Sequence, residues 1–190
     1  MLEVREIEYI PEKRNNSLKL ATDGSAWGDI PTIIGDIIER FDISTASAIE
    51  FGVEWGYSTS ALSNYFEKVV GVDTFEGDIH SGFKHDTLEK TTEILKDFEN
   101  IQLVQSSYQD YISVERSERY NFGHVDIVHT YEDTYKCGEW CVQNCDVVIF
   151  HDTTSFFDVH RACLDLARNY NLEFYNYRFS NGLGILVKGK

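Results

Sequence analysis

The sequence predicts an α/β sandwich: a mostly parallel sheet of seven strands, with helices on both faces, closed by a C-terminal antiparallel hairpin. Three observations carry this. From about residue 46 onward, short apolar runs alternate with helix-period segments, the pattern of parallel strands joined by crossover helices. Near the C-terminus, two strand-like runs flank Ser180-Asn181-Gly182, a turn signal suited to antiparallel neighbours. The chain has 190 residues, of which 42% are hydrophobic, enough for one core.

Taken in order, residues 1–30 read as polar and irregular. Asp29-Ile30-Pro31 then opens a helix, with proline in the first turn and Asp29 as the expected cap. Ile33, Ile34, Ile37, Ile38 and Phe41 form its apolar stripe. Residues 1–45 are thus expected as a helical extension packed on a main domain of residues 46–190. In that domain Ala46–Phe51 reads as a buried strand, Ser58–Phe66 as a helix and Val69–Val72 as a second strand. Asp86–Phe98 reads as a helix, with Asp86 and Glu89 spaced like a capping box. Ile101–Val104 is a third strand, Tyr108–Val114 a helix and Phe122–Val128 a fourth strand. Tyr131–Val142 is helical, Val147–Phe150 a fifth strand and Asp158–Tyr170 a helix. Glu173–Arg178 and Leu183–Lys188 make the closing hairpin.

Composition narrows the setting. A net charge of −15 repels phosphate backbones, which disfavours nucleic acid as a partner. No apolar run is long enough to cross a bilayer, and the charged N-terminus lacks a signal-peptide core. A cytoplasmic location is the expectation, and Cys137, Cys141, Cys145 and Cys163 fit reduced thiols there. The first three share an i, i+4, i+8 spacing. Zinc binding is conceivable, but no Cys-x-x-Cys pair supports it, and packing is the stronger reading.

Ligands of parallel α/β sheets sit beyond the carboxyl ends of the strands. The first such loop runs Glu50-Phe51-Gly52-Val53-Glu54-Trp55-Gly56-Tyr57-Ser58-Thr59. Its glycines permit a sharp turn and close backbone approach, and the next helix points its N–H groups at the crevice. An ordinary tight turn would look the same. The second strand adds Asp73 about twenty residues later, the separation at which a carboxylate reaches the hydroxyls of a ribose. Together they indicate a nucleoside cofactor, without separating adenosylmethionine from a nicotinamide dinucleotide.

Glu50–Thr59 and Val69–Asp73 resemble the first two motifs of class I S-adenosylmethionine-dependent methyltransferases, with Glu50, Gly52 and Gly56 matching and Glu54 standing where the middle glycine is usual. Asp126-Ile127-Val128-His129-Thr130-Tyr131-Glu132, His151-Asp152-Thr153 and the run Gly182–Val187 resemble a bacterial and phage group similar to macrocin-type and catechol-type O-methyltransferases. Asn144-Cys145-Asp146 departs from that group's Pro-Gly-Gly turn, and Ile127 from its glycine. The resemblance runs from about residue 46 to the C-terminus. It implies a Rossmann-like fold, S-adenosylmethionine as cofactor, and O-methylation of a small hydroxylated acceptor such as a sugar or other metabolite.

Methyl transfer to an alcohol requires alignment with the sulfonium methyl and removal of a proton. Asp126 and Asp152, at neighbouring strand ends, are candidates to hold Mg²⁺ or another divalent cation, with His151 as a third ligand better suited to a transition metal. His129, three residues beyond Asp126, is the candidate base, and Asp126 is placed with it in the catalytic group. Glu50, Gly52, Trp55, Gly56, Ser58 and Asp73 are the expected cofactor contacts. Ser106 and Ser107, at the family's adenine position, serve equally well as helix caps. Among the tryptophans, Trp55 is favoured for the pocket over Trp27 and Trp140, which read as core. His80, His85, His124 and His160 carry no signal. A nicotinamide-dependent oxidoreductase and a non-catalytic binding module remain alternatives. Acceptor-contacting segments are expected at 1–45, 74–86 and 154–158, and the hairpin or the N-terminal helix offers a homodimer face.

Overall fold

A computed structural model describes residues 4–12, 18–21, 25, 27–77, 86–115 and 117–189. The strands are β1 (Glu6–Glu8), β2 (Ser47–Phe51), β3 (Lys68–Asp73), β4 (Ile101–Gln105), β5 (Tyr120–Val125), β6 (Cys145–His151), β7 (Leu172–Tyr177) and β8 (Leu183–Lys188). The helices are α1 (Ile30–Phe41), α2 (Tyr57–Ser63), α3 (Leu88–Leu95), α4 (Tyr108–Ser113), α5 (Tyr131–Asn144) and α6 (Phe157–Tyr170). The sheet order is β1-β7-β8-β6-β5-β2-β3-β4, and β8 alone runs against its neighbours. From β2 the chain winds outward to β3 and β4, then crosses back to β5 and β6. The order therefore reverses between β2 and β5, and it is beyond the carboxyl ends of strands at such a point that α/β sheets bind ligands.

Among the described residues the sheet has eight strands, where the sequence predicts seven. Glu6–Glu8 pairs parallel with β7, Glu6 opposite Phe174, so residues 1–30 are not wholly irregular. A three-residue strand with two glutamates carries almost no periodic signal, and its partner lies at the other end of the chain. Tyr9 follows it into the core, where its hydroxyl bonds the carboxylate of buried Asp36 on α1. That carboxylate also accepts from the Glu12 N–H at 3.1 Å. These bonds fasten the N-terminal arm to α1.

Alternation along the strands feeds two cores. Ala48, Val69, Phe122 and Ile149 face α1 and α2, against Ile30, Ile33, Ile34, Ile37 and Leu62. Ile49, Val70, Val72 and Phe150 face the other way, against α5 and α6. All four cysteines are buried in this second core as free thiols, which fits packing.

Two local expectations are corrected, and one departure from the resembled family is explained. Asp29 stands at the start of α1 without a side-chain capping bond. Its carboxylate instead accepts from the hydroxyls of Tyr177 (2.7 Å) and Ser180 (2.9 Å), tying the helix to the closing hairpin. The capping box at Asp86 and Glu89 does not form; Asp86 accepts from the Leu88 N–H at 3.3 Å, and the helix begins two residues later. The Asn144-Cys145-Asp146 departure makes no turn, because α5 ends at Asn144 and β6 starts at Cys145, with the Asn144 amide donating to the Trp140 carbonyl at 2.8 Å. No helix among the described residues is long and apolar enough to cross a membrane.

Candidate active site

The crevice between β2 and β5 is lined on one side by the glycine loop. Gly52 and Gly56 have φ of +94° and +81°, a region open to glycine. A Cβ on Gly52 would lie 1.8 Å from the Asp126 carbonyl oxygen, so the loop passes against β5 with no room for a side chain. Glu54 has φ +50°. It takes up, at some conformational cost, the left-handed backbone that a glycine would supply, so the loop keeps its turn despite the substitution. Asp73, at the end of β3, braces it: one carboxylate oxygen accepts from the Val53 and Glu54 N–H groups at 2.7 and 2.9 Å, the other from Phe75 N–H at 2.7 Å. A carboxylate has about four acceptor positions, so this bracing leaves Asp73 one open. Trp55 lies under the Lys90 ammonium, 4.4 Å from its ring centre, and Ser58 is buried in the first turn of α2.

Glu50 does not face the crevice openly. It is wholly buried, with one oxygen 2.9 Å from His124 Nδ1 and the other taking the Thr59 hydroxyl. At the next strand end, Ser106 donates its N–H to the Asp73 carbonyl, whereas Ser107 caps α4 by accepting from the Asp110 N–H at 3.0 Å. The capping reading therefore applies to Ser107.

Across the crevice, the ends of β5 and β6 bring two carboxylates and two imidazoles together. Asp126 Oδ1 lies 3.4 Å from His129 Nε2, and Asp126 Oδ2 lies 3.2 Å from His151 Nδ1. Asp152 Oδ2 is 3.0 Å from His129 Nε2 and 3.6 Å from His151 Nδ1. Asp152 reaches inward from a left-handed backbone, φ +66°, strained for a residue other than glycine. His151 Nε2–H donates to the Ser180 carbonyl at 3.1 Å. His129 stacks on Phe156, centroids 4.1 Å apart. Burial pushes the Asp126 pKa up, but bonds from His129 and His151 outweigh it and hold the carboxyl well below its usual range. Burial likewise opposes charge on His129, yet Asp126 and Asp152 raise it to about 9. His151 is raised for the same reason, against its burial.

Oxygen and imidazole donors on one small volume fit a divalent cation: Asp126, His129 and Asp152 offer ligand atoms within 4.8 Å of one another, and His151 borders them. Trp27 completes the wall. It is buried, its indole N–H points at Asp126 Oδ2 (3.5 Å), and its ring packs on His151 and His124 at 5.7 and 4.6 Å. Sequence reasoning passed over Trp27, which lies in a segment without periodicity, and left His124 unassigned. His160 bonds Glu6, and His80 and His85 lie outside the described residues.

No protein-family model matches the chain, and no curated protein matches it by sequence. Solved structures do. The O-methyltransferase NovP superposes with a TM-score of 0.70 at 11% identity, over 86% of this chain and 79% of that one. An O-methyltransferase from Bacillus cereus, solved with SAH, gives 0.54 at 15%, over 80% and 77%. A rRNA methylase from Streptococcus thermophilus gives 0.59 at 16%, over 84% and 96%. This is the fold of the class I methyltransferases. In the methyltransferase fold of this chain, the glycine loop and the Asp126–Asp152 cluster face each other across the β2–β5 switch point, joined where Gly52 meets the Asp126 carbonyl.

Proposed function

We propose that this protein transfers the methyl group of S-adenosylmethionine to a hydroxyl of a small acceptor, with help from a divalent cation. The observation that carries this is the pairing, across one crevice, of a braced glycine loop with a cluster of two carboxylates and two imidazoles. Neighbours solved with SAH support the cofactor.

Each chain segment has a part in the reaction. Gly52, Trp55, Gly56 and Ser58 shape the loop and helix start against the nucleoside and methionine portions, and the remaining acceptor position of Asp73 suits a ribose hydroxyl. Glu50 acts from behind, holding α2 to β5 through Thr59 and His124. Ser106, on the Asp73 carbonyl, is the nearer of the two serines to the ribose side. Asp126, His151 and Asp152 would hold the cation, which lowers the pKa of a bound hydroxyl. With both carboxylates neutralised by the cation, His129 would give up the proton they hold on it and take the hydroxyl proton as the oxygen forms its bond to the methyl carbon and the carbon–sulfur bond breaks. The products are the methyl ether, S-adenosylhomocysteine and a proton. The net charge of −15 supports a small acceptor over RNA.

Calorimetry with S-adenosylhomocysteine tests the reading. Asp73→Ala is expected to abolish binding, while Asp152→Ala binds as wild type and loses turnover on an alcohol panel. Equal affinity in wild type and Asp73→Ala counts against it, as does a thermal shift with NADH exceeding that with S-adenosylhomocysteine.

A further inference from the structure

We propose that the centre formed by Asp126, His151 and Asp152 takes a first-row transition-metal dication in preference to magnesium. The inference rests on the metal-assisted reading above and concerns which ion that site selects.

The argument begins with the way His151 is held. Its ring is 3% exposed, and it cannot turn toward solvent. Nε2–H donates to the Ser180 carbonyl at 3.1 Å, in the turn of the closing hairpin. Bonding of one ring nitrogen to a backbone carbonyl fixes the tautomer and leaves the other nitrogen as a lone-pair donor; metal-ligating histidines are usually held this way. The other nitrogen, Nδ1, donates to Asp126 Oδ2 at 3.2 Å and lies 3.6 Å from Asp152, so a dication between these groups would replace that proton and take the Nδ1 lone pair. Trp27 packs on one side of the ring, and its N–H points at the same Asp126 oxygen, so ring and carboxylate are positioned together. A second nitrogen, His129 Nε2, is within 3.0 Å of Asp152, and the Phe156 stack holds that ring in place.

Magnesium is a poor match for this setting. It prefers six oxygens in near-ideal octahedral array and keeps several waters, and imidazole is a weak partner for it. Trp27 and His151, both buried, close one side of the site, and the imidazole takes a position that magnesium would fill with water. Mixed imidazole and carboxylate donors suit manganese, iron, cobalt or zinc dications.

The test uses the full chain freed of metal by chelation. Titration calorimetry with CoCl₂, ZnCl₂ and MgCl₂ is expected to show cobalt and zinc binding on the order of 100-fold tighter than magnesium. Carboxylates alone give part of such a difference, so a second readout decides the donor. In the cobalt-loaded protein, proton NMR is expected to show a strongly shifted, solvent-exchangeable N–H resonance from the imidazole that donates to Ser180. It should disappear in His151→Asp, and that variant should lose at least about tenfold of the preference for cobalt over magnesium. Should His151→Asp fail to fold, His129→Gln loaded with cobalt decides the assignment: the shifted N–H is expected to persist, and its loss there overturns the proposal. No bound metal, magnesium binding as tightly as cobalt, or bound cobalt without a shifted N–H overturns the proposal. Calorimetry with S-adenosylhomocysteine on the chelated protein reports separately on the methyl-transfer reading.

Discussion

Gly52→Ala tests whether the cofactor loop and the carboxylate cluster are mechanically one unit. At φ +94°, any side chain incurs about 1–2 kcal/mol of backbone strain. The new Cβ would stand 1.8 Å from the Asp126 carbonyl oxygen and 2.7 Å from its carbon. These are backbone atoms of the residue that follows β5, held to β2 by the Asp126 N–H bond to the Phe51 carbonyl, so the ends of β2 and β5 must separate by about 1 Å or more. Overpacking of this kind costs a further 1–3 kcal/mol or so. The total of about 2–5 kcal/mol corresponds to a fall in Tm of about 5–20 °C for a chain of this size. The movement also carries Asp126 away from His129 and His151, so adenosylhomocysteine affinity and cation affinity should fall together. Gly189→Ala is the control, since its Cβ would meet nothing closer than 3.4 Å. Urea and thermal melts, with calorimetry for both ligands, measure each part. A Gly52→Ala protein melting within about 2 °C of wild type, or losing one ligand while holding the other at full affinity, refutes the reasoning.

Other outcomes follow from the same geometry. In chelated protein, His129 has a pKa raised to about 9, above its unfolded value near 6.5, so its stabilising contribution is whole below about pH 6.5 and lost as pH rises through 9. With solvent screening this amounts to about 1–2 kcal/mol; urea melts from pH 6 to 9.5 should show the decline, and His129→Gln should reduce it, the remainder coming from His151. Trp27→Ala removes a buried indole beside Asp126 and should cost about 3–5 kcal/mol and weaken cation binding, read by denaturation and calorimetry. Tyr9→Phe deprives the buried Asp36 carboxylate of its hydroxyl donor and should cost about 1–3 kcal/mol without changing cofactor affinity.

Much of the fold is legible in local sequence because its strands are apolar runs between helix-period segments, and the sheet follows from that alternation. The glycine loop, Asp73, Asp126 and Asp152 are readable for a related reason: each sits at a strand's carboxyl end, where topology alone gathers them. What escapes is whatever depends on a partner far along the chain. Glu6–Glu8 becomes a strand only because β7 offers it an edge. Asp29 resembles a helix cap, but Tyr177 and Ser180 recruit its carboxylate. Trp27 joins the cluster through the arm's path, and no pattern around it announces that. Glu54 shows a different limit, since it breaks the glycine motif yet adopts the glycine conformation.

The pairing of β1 with β7 also sets an order of assembly. Residue 6 lies opposite residue 174, so β1, made early, finds its place only after β7 has been made. Until β7 is synthesised, the arm carrying Trp27 has no edge to dock on, and Ser180, which orients His151, has not been made. The inner strands β2 to β6 can gather before either arrives. The wall around Asp126 and His151 is thus completed in the final stage of folding, and a nascent chain stalled short of the hairpin would display the glycine loop while lacking the cluster opposite it.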